Sequence, residues 1–126
     1  PDEPPGPAVP PEGPREAGSM SLVEMTWSVK NRELVLARKK LATTRRTPHG
    51  FRGDHFLIDE QRFIFTAIRP MRLGHVAELY YQLEGAESPE AFLKEWTENY
   101  GLIRPPNLTD LVYLHEFSEV RAEPPA

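Results

Sequence analysis

Hydrophobic residues fall on every second position at Val23, Met25, Trp27 and Val29. This period predicts a half-buried strand over Leu22–Val29. Asn31 then serves as an N-cap for a short helix, Arg32–Lys39, with Leu34, Val35 and Arg38 on one face. Leu41–Arg46, with threonines flanked by charge, reads as a second strand, and Thr47-Pro48-His49-Gly50 breaks it into a loop. His55–Ile58 and Arg62–Arg69 form a hairpin pattern around Asp59-Glu60-Gln61. In the second arm Phe63, Phe65 and Ala67 alternate with Ile64, Thr66 and Ile68, so both faces carry apolar side chains. That suits a barrel strand buried on both sides. Pro70 marks its exit.

The period then changes. Leu73, Val76, Ala77, Tyr80 and Leu83 share one stripe of a helix over Leu73–Glu84, which Gly85 stops. Ser88 caps a second helix with Pro89 in its first position and Glu90 in its first turn. Phe92, Leu93, Trp96 and Tyr100 give that helix its buried face, and Gly101 ends it. The loop Arg104-Pro105-Pro106-Asn107 leads to a last strand, Leu111–Phe117. The order β-α-β-β-β-α-α-β predicts an α+β fold, a small mixed β-barrel with helices covering one end.

Composition sets the limits of this domain. Residues 1–20 are Pro-rich with almost no large apolar side chains, so they are expected to be a disordered tail or a cloning linker. The folded domain is expected over residues 21–120, with 121–126 a flexible C-terminus. The absence of cysteine rules out disulfides and thiolate zinc sites and favours a reducing compartment. No apolar run approaches the roughly 20 residues of a membrane span, and no signal-peptide pattern opens the chain. An intracellular monomer without a membrane partner is the simplest expectation. The net charge of -4 hides an asymmetry: residues 21–72 hold eleven Lys and Arg against five Asp and Glu, and residues 73–126 hold three against ten. Such a chain can carry a basic face while acidic overall.

The densest cationic segment is Val35–Arg46, with Arg38, Lys39, Lys40, Arg45 and Arg46 among its twelve residues. Thr43 and Thr44 add hydroxyl donors and acceptors beside positive charge, and His49 and Arg52 follow in the next loop. Such a run suits phosphate contact as well as a solvated charged edge, and Tyr80 is placed to stack a base. Glu84 stands out differently. On a helical wheel it falls on the apolar stripe, in the last turn, where burial and the helix dipole both oppose its charge unless a cation lies close. His49, His55, His75 and His115 lack metal-ligand spacing, so no metal is expected. There is no P-loop and no dinucleotide fingerprint, so no cofactor is expected either.

Lys40, Thr43 and Arg45 stand at the spacing K-x-x-T-x-R. Gly53-Asp54, Glu84-Gly85, Ser88-Pro89-Glu90 and Val112-Tyr113-Leu114-His115-Glu116-Phe117 follow in order. Together, over about Met25–Val120, these resemble the ASCH domain of the PUA-like superfamily. Two positions depart from its pattern: Leu41 replaces the threonine that often follows the lysine, and Arg38-Lys39 replaces a Gly-Arg or Gly-Lys turn. The resemblance implies a β-barrel with a cleft that takes RNA or a nucleobase. Some small relatives are amidohydrolases acting on N4-acetylcytidine with a lysine, a threonine and a glutamate. Those positions match Lys40, Thr43 and Glu84. Two readings follow. One is binding of RNA or single-stranded nucleic acid through Arg38, Lys39, Lys40, Thr43, Arg45, Arg46, His49, Arg52 and Tyr80. The other is hydrolysis of a modified nucleoside. A nuclease and a protein-interaction adaptor rank below both.

Overall fold

The computed structural model describes residues 21–100 and 105–121. The expected tail over residues 1–20, the helix stop at Gly101, Arg104 and residues 122–126 lie outside them. Seven elements follow in order: α1 (Val29–Leu36), β1 (Ala42–Arg45), β2 (His55–Ile58), β3 (Gln61–Arg72), α2 (Leu73–Leu79), α3 (Pro89–Tyr100) and β4 (Leu111–Val120). The strands form one antiparallel sheet in the order β1-β4-β3-β2, curled into a half-barrel. The class is α+β, as the hydrophobic periods predict.

Both faces of the sheet are covered, and β4 shows how. Its Val112 and Leu114 join a core with Ala42, Leu73, Val76, Ala77, Phe92 and Trp96, under α2 and α3. Its Phe117, one step out of phase, joins an aromatic core with Val35, Phe56, Ile58, Phe63 and Phe65, beside α1. Side chains one residue apart on a strand point to opposite faces, so a single strand serves both cores. Phe56 anchors the second core, ringed by Phe63, Phe65 and Phe117 at centroid distances of 5.2–5.3 Å. β3 pairs with β4 along almost its whole length, with a bulge between Phe65 and Ala67.

Five local differences from the sequence expectation have physical causes. Over Leu22–Val29 the backbone makes only a parallel bridge from Leu22 to His55. Val23, Met25 and Trp27 still pack inward, so the alternation reports burial and not a ladder. The first helix starts three residues early because Ser28, rather than Asn31, is the cap; its hydroxyl accepts from the Asn31 N–H at 3.1 Å. That helix closes with Lys39 N–H bonded to Leu34 O and Arg38 N–H bonded to Val35 O, which puts Arg38 in the left-handed region at φ 62°. Arg38 thus occupies the turn where the ASCH pattern carries glycine. The hairpin turn is two residues, Asp59 and Glu60, at φ 51° and 72°, the geometry that matches strand twist. Finally, Pro70 lies inside β3 and not at its exit. It pairs opposite Tyr113, beyond the stretch Gln61–Ile64 that β2 covers, so no ladder bond on that side needs its missing N–H.

The second helix ends at Leu79, five residues before the expected Glu84. The carbonyl of Leu83 instead accepts from Leu41 N–H at 2.7 Å and Ala42 N–H at 3.0 Å. These donors belong to the approach to β1, and binding them draws residues 80–85 out of the helix into turns. No helix among the described residues is long and apolar enough to cross a membrane.

His115 is fully buried on β4 against the Phe65 ring. Its Nε2 accepts from the His49 backbone N–H at 3.0 Å, so the proton sits on Nδ1, which donates to Tyr113 O at 3.0 Å. Burial, chiefly, lowers its pKa from 6.5 to about 4. The folded state therefore resists a proton that the unfolded chain accepts. Stability is full above the unfolded value and falls as pH drops from 6.5 toward 4. From this residue alone we expect a loss of about 2 kcal/mol between pH 7 and pH 5. Urea unfolding at the two pH values checks it, and His115→Asn should flatten that part of the pH dependence.

Candidate functional site

β1 is an edge strand, and its free edge opens onto a cavity of about 370 Å³. Residues from both faces of the strand reach it. Thr44 shares a face with the buried Ala42, toward α2 and α3; Thr43 and Arg45 share the other, toward α1. The cavity wraps the strand edge and is lined by Lys40, Thr43, Thr44 and Arg45 together.

Its floor is a buried ion pair. Lys40 Nζ donates to Glu84 Oε1 at 2.6 Å and to the Glu84 carbonyl at 3.1 Å. Thr44 Oγ1 donates to Glu84 Oε2. Lys40 is 4% and Glu84 6% exposed, so each charge depends on the other for its solvation. Glu84 is thus buried as the sequence suggests, but in the turn after α2. The helix dipole has no part in its setting, and a lysine ammonium with a threonine hydroxyl answers its charge. Gly85 permits this turn at φ 82°; a β-carbon there would lie 3.2 Å from Lys39 O and 3.4 Å from Lys40 Cβ.

Aromatic walls rise from the floor: Trp27 before α1, and Phe92, Trp96 and Tyr100 on one stripe of α3. Arg45 lies over the Trp27 ring at 5.0 Å and donates to Thr26 O at 2.9 Å and to Thr43 Oγ1 at 3.3 Å. Burial lowers its pKa, opposed by the nearby Tyr100 and Glu84. Arg46 reaches over the Tyr100 ring at 5.5 Å. At the outer end Asn31, Glu95 and Asn99 supply polar groups. Asn31 Nδ2 donates to Glu95 Oε2 at 2.8 Å. Among the described residues, Trp27 Nε1, Trp96 Nε1, Asn31 Oδ1 and His55 Nδ1 are buried without a hydrogen-bond partner. Buried polar atoms are almost always paired, and the first three belong to residues that line the cavity.

Two solved structures share this architecture. An ASCH domain from Lactobacillus crispatus JV V101 matches with a TM-score of 0.56 and 16% identity, over 80% of this chain and 79% of the other. A protein of family DUF984 from Enterococcus faecalis V583 matches with a TM-score of 0.54 and 18% identity, over 72% of this chain and 67% of the other. This is the ASCH fold. No protein-family model and no curated protein matches the chain by sequence.

On the ASCH fold the residues singled out by sequence separate into groups. Lys40, Thr43, Arg45 and Glu84 line the cavity, with Arg46 against its Tyr100 wall. His49 lies one layer away, its ring 5.7 Å from that of His115, and burial followed by the charge of Arg45 lowers its pKa. Arg38, Lys39, Arg52 and Tyr80 are not among the lining residues. Arg38 pairs with Glu119 at 2.6 Å in a separate groove, and Tyr80 packs on the core under α2 and α3. The lining therefore carries two cations, Lys40 and Arg45, against two carboxylates, Glu84 and Glu95.

Sequence reasoning named Thr44 only as one hydroxyl of the cationic segment and gave no site role to Trp27, Asn31, Glu95 and Asn99. Some signals were present. Thr44 is in phase with Ala42 on a strand, and Glu95 and Asn99 form a polar stripe beside Phe92, Trp96 and Tyr100. Asn31 and Glu95 are 64 residues apart, and no local pattern links them.

Removing one partner of a buried pair leaves the other charge stranded. Lys40→Met alone should cost on the order of 3–5 kcal/mol. Lys40→Met combined with Glu84→Gln should cost less than the sum of the single changes. A double-mutant cycle in urea unfolding measures that coupling.

Proposed function

We propose that this ASCH-fold domain binds RNA or single-stranded nucleic acid by taking one unpaired base into the cavity at the edge of β1. The observation that carries the reading is the combination of aromatic walls and a charged, hydrogen-bonding floor in a space of about 370 Å³. Aromatic faces stack bases irrespective of sequence. The floor offers an ammonium, a carboxylate and a hydroxyl, groups that pair with the carbonyl and amine edge of a base. Arg45 and Arg46, near the mouth and the Tyr100 wall, suit the phosphates on either side. The balanced charge of the lining fits a base better than a long stretch of backbone, whose binding needs many cations. The ASCH resemblance points the same way.

A second reading is favoured by one contact. The Thr44 hydroxyl donates to Glu84 in a buried cluster with Lys40. A hydroxyl on a carboxylate is the arrangement of an activated nucleophile, so the cavity also fits an amidohydrolase acting on an N4-acetylcytidine-type nucleoside. The Lys40–Glu84 pair argues for recognition first. As built, the Lys40 ammonium already engages the carboxylate that would have to take the Thr44 proton.

Fluorescence titration of short single-stranded RNA, single-stranded DNA and duplex RNA, at low and moderate salt, tests this. Single strands are expected to bind at micromolar concentrations or tighter, and the duplex far more weakly because its bases are stacked away. Arg45→Gln should weaken single-strand binding and reduce the salt slope by about one. Absence of binding to every strand overturns the base-binding reading. Release of acetate from N4-acetylcytidine, lost in Thr44→Val or Lys40→Ala, establishes the second.

A further inference from the structure

Beyond the base itself, the outer end of the cavity is built from acceptors. Glu95 on α3 and Asn31 on α1 meet there, joined by the 2.8 Å bond from Asn31 Nδ2 to Glu95 Oε2. That bond settles which way the amide faces. A carboxylate only accepts, so the nitrogen of Asn31 must point to Glu95 and its carbonyl oxygen must point away. Asn31 Oδ1 is then a buried acceptor without a partner. Among the described residues, the other carboxylate oxygen, Glu95 Oε1, meets only Lys30 Nζ at 3.9 Å, beyond hydrogen-bond length, and the Lys30 side chain is 72% exposed. Two acceptors on adjacent side chains are therefore left with unused capacity.

We propose that Asn31 and Glu95 form a ribose-reading site that selects ribonucleosides over their 2′-deoxy counterparts. The inference rests on the base-binding reading and adds the sugar class to it. Two neighbouring acceptors match two neighbouring O–H donors, and the 2′,3′-diol of ribose supplies them. One hydroxyl donates to Glu95 Oε1 and the other to Asn31 Oδ1. A carboxylate is the group that dinucleotide-binding folds set against ribose hydroxyls. It also repels phosphate, so this end of the cavity suits the sugar and leaves phosphates to Arg45 and Arg46. The placement is consistent with the base at the opposite end, on Lys40, Thr44 and Glu84. The 2′-hydroxyl is the group by which a protein tells RNA from DNA at one position.

Calorimetric titration with cytidine, adenosine, 2′-deoxycytidine and 2′-deoxyadenosine tests the proposal on the wild-type protein, without dependence on any variant. Ribonucleosides are expected to bind about tenfold more tightly, the worth of one charge-assisted hydrogen bond. Glu95→Gln and Asn31→Ala should each collapse the ribose-to-deoxyribose ratio toward one. Lys30→Ala should leave the ratio as it is. Equal affinity for ribo and deoxy forms overturns the ribose site while leaving the base pocket standing. A ratio that survives both Glu95→Gln and Asn31→Ala also overturns it, and would make the Asn31–Glu95 bond a tie between helices only. No binding of any nucleoside overturns the base pocket and this site together.

Discussion

The contact on which the domain turns is the one between Lys40 and Glu84, which draws the turn after α2 onto the approach to β1. Two charges this deeply buried persist only when each answers the other and the remaining lone pairs are bonded. Thr44 and the Glu84 carbonyl complete that set. The Leu83 carbonyl adds backbone bonds to Leu41 and Ala42 in the same place. Charge and backbone thus act together: they end a helix early, close the strand edge at its first residues, and leave the rest of that edge open. The cavity is what remains between this clamp and α3.

An open strand edge is a hazard, because it offers unpaired backbone to other chains. Here it is turned inward. β1 is four residues long, the turn after α2 covers its start, and α3 with the segment before α1 stands over its end. The same features that protect the edge bring both faces of the strand to one space. A cavity in the middle of a sheet face would see one set of side chains. At an edge it sees Thr43 and Arg45 from one face and Thr44 from the other, so a short segment presents an arginine and two hydroxyls. Among the described residues the lining of this cavity balances two cations, Lys40 and Arg45, with two carboxylates, Glu84 and Glu95.

The periods of the sequence carried most of the architecture. The hairpin at His55–Ile58, the strand Leu41–Arg46, the helix after Ser88 and the C-terminal strand lie within a few residues of their expected places. Side-chain burial and local capping dictate these, and both are written locally. Where expectation and structure part, a distant group intervenes. Val23, Met25 and Trp27 alternate like a strand, yet most of that segment finds no ladder beside it. Residues 80–84 continue a helical stripe, yet Leu83 O is claimed by β1. Glu84 was conspicuous because a carboxylate on an apolar stripe needs a cation. No periodicity gives its partnership with Lys40, 44 residues away.

The amino-acid sequence by itself determined the α+β class, the approximate limits of most elements, and the need for a charge partner at Glu84. Each follows from interactions within about one turn or one strand. Only the tertiary structure decided which threonine meets the carboxylate, which aromatics wall the cavity, and which cations stay away from it. It alone brought Asn31 to Glu95 across 64 residues. The reason is geometric: a strand period tells which side chains share a face, but the curl of the sheet and the seating of helices on it decide where that face ends.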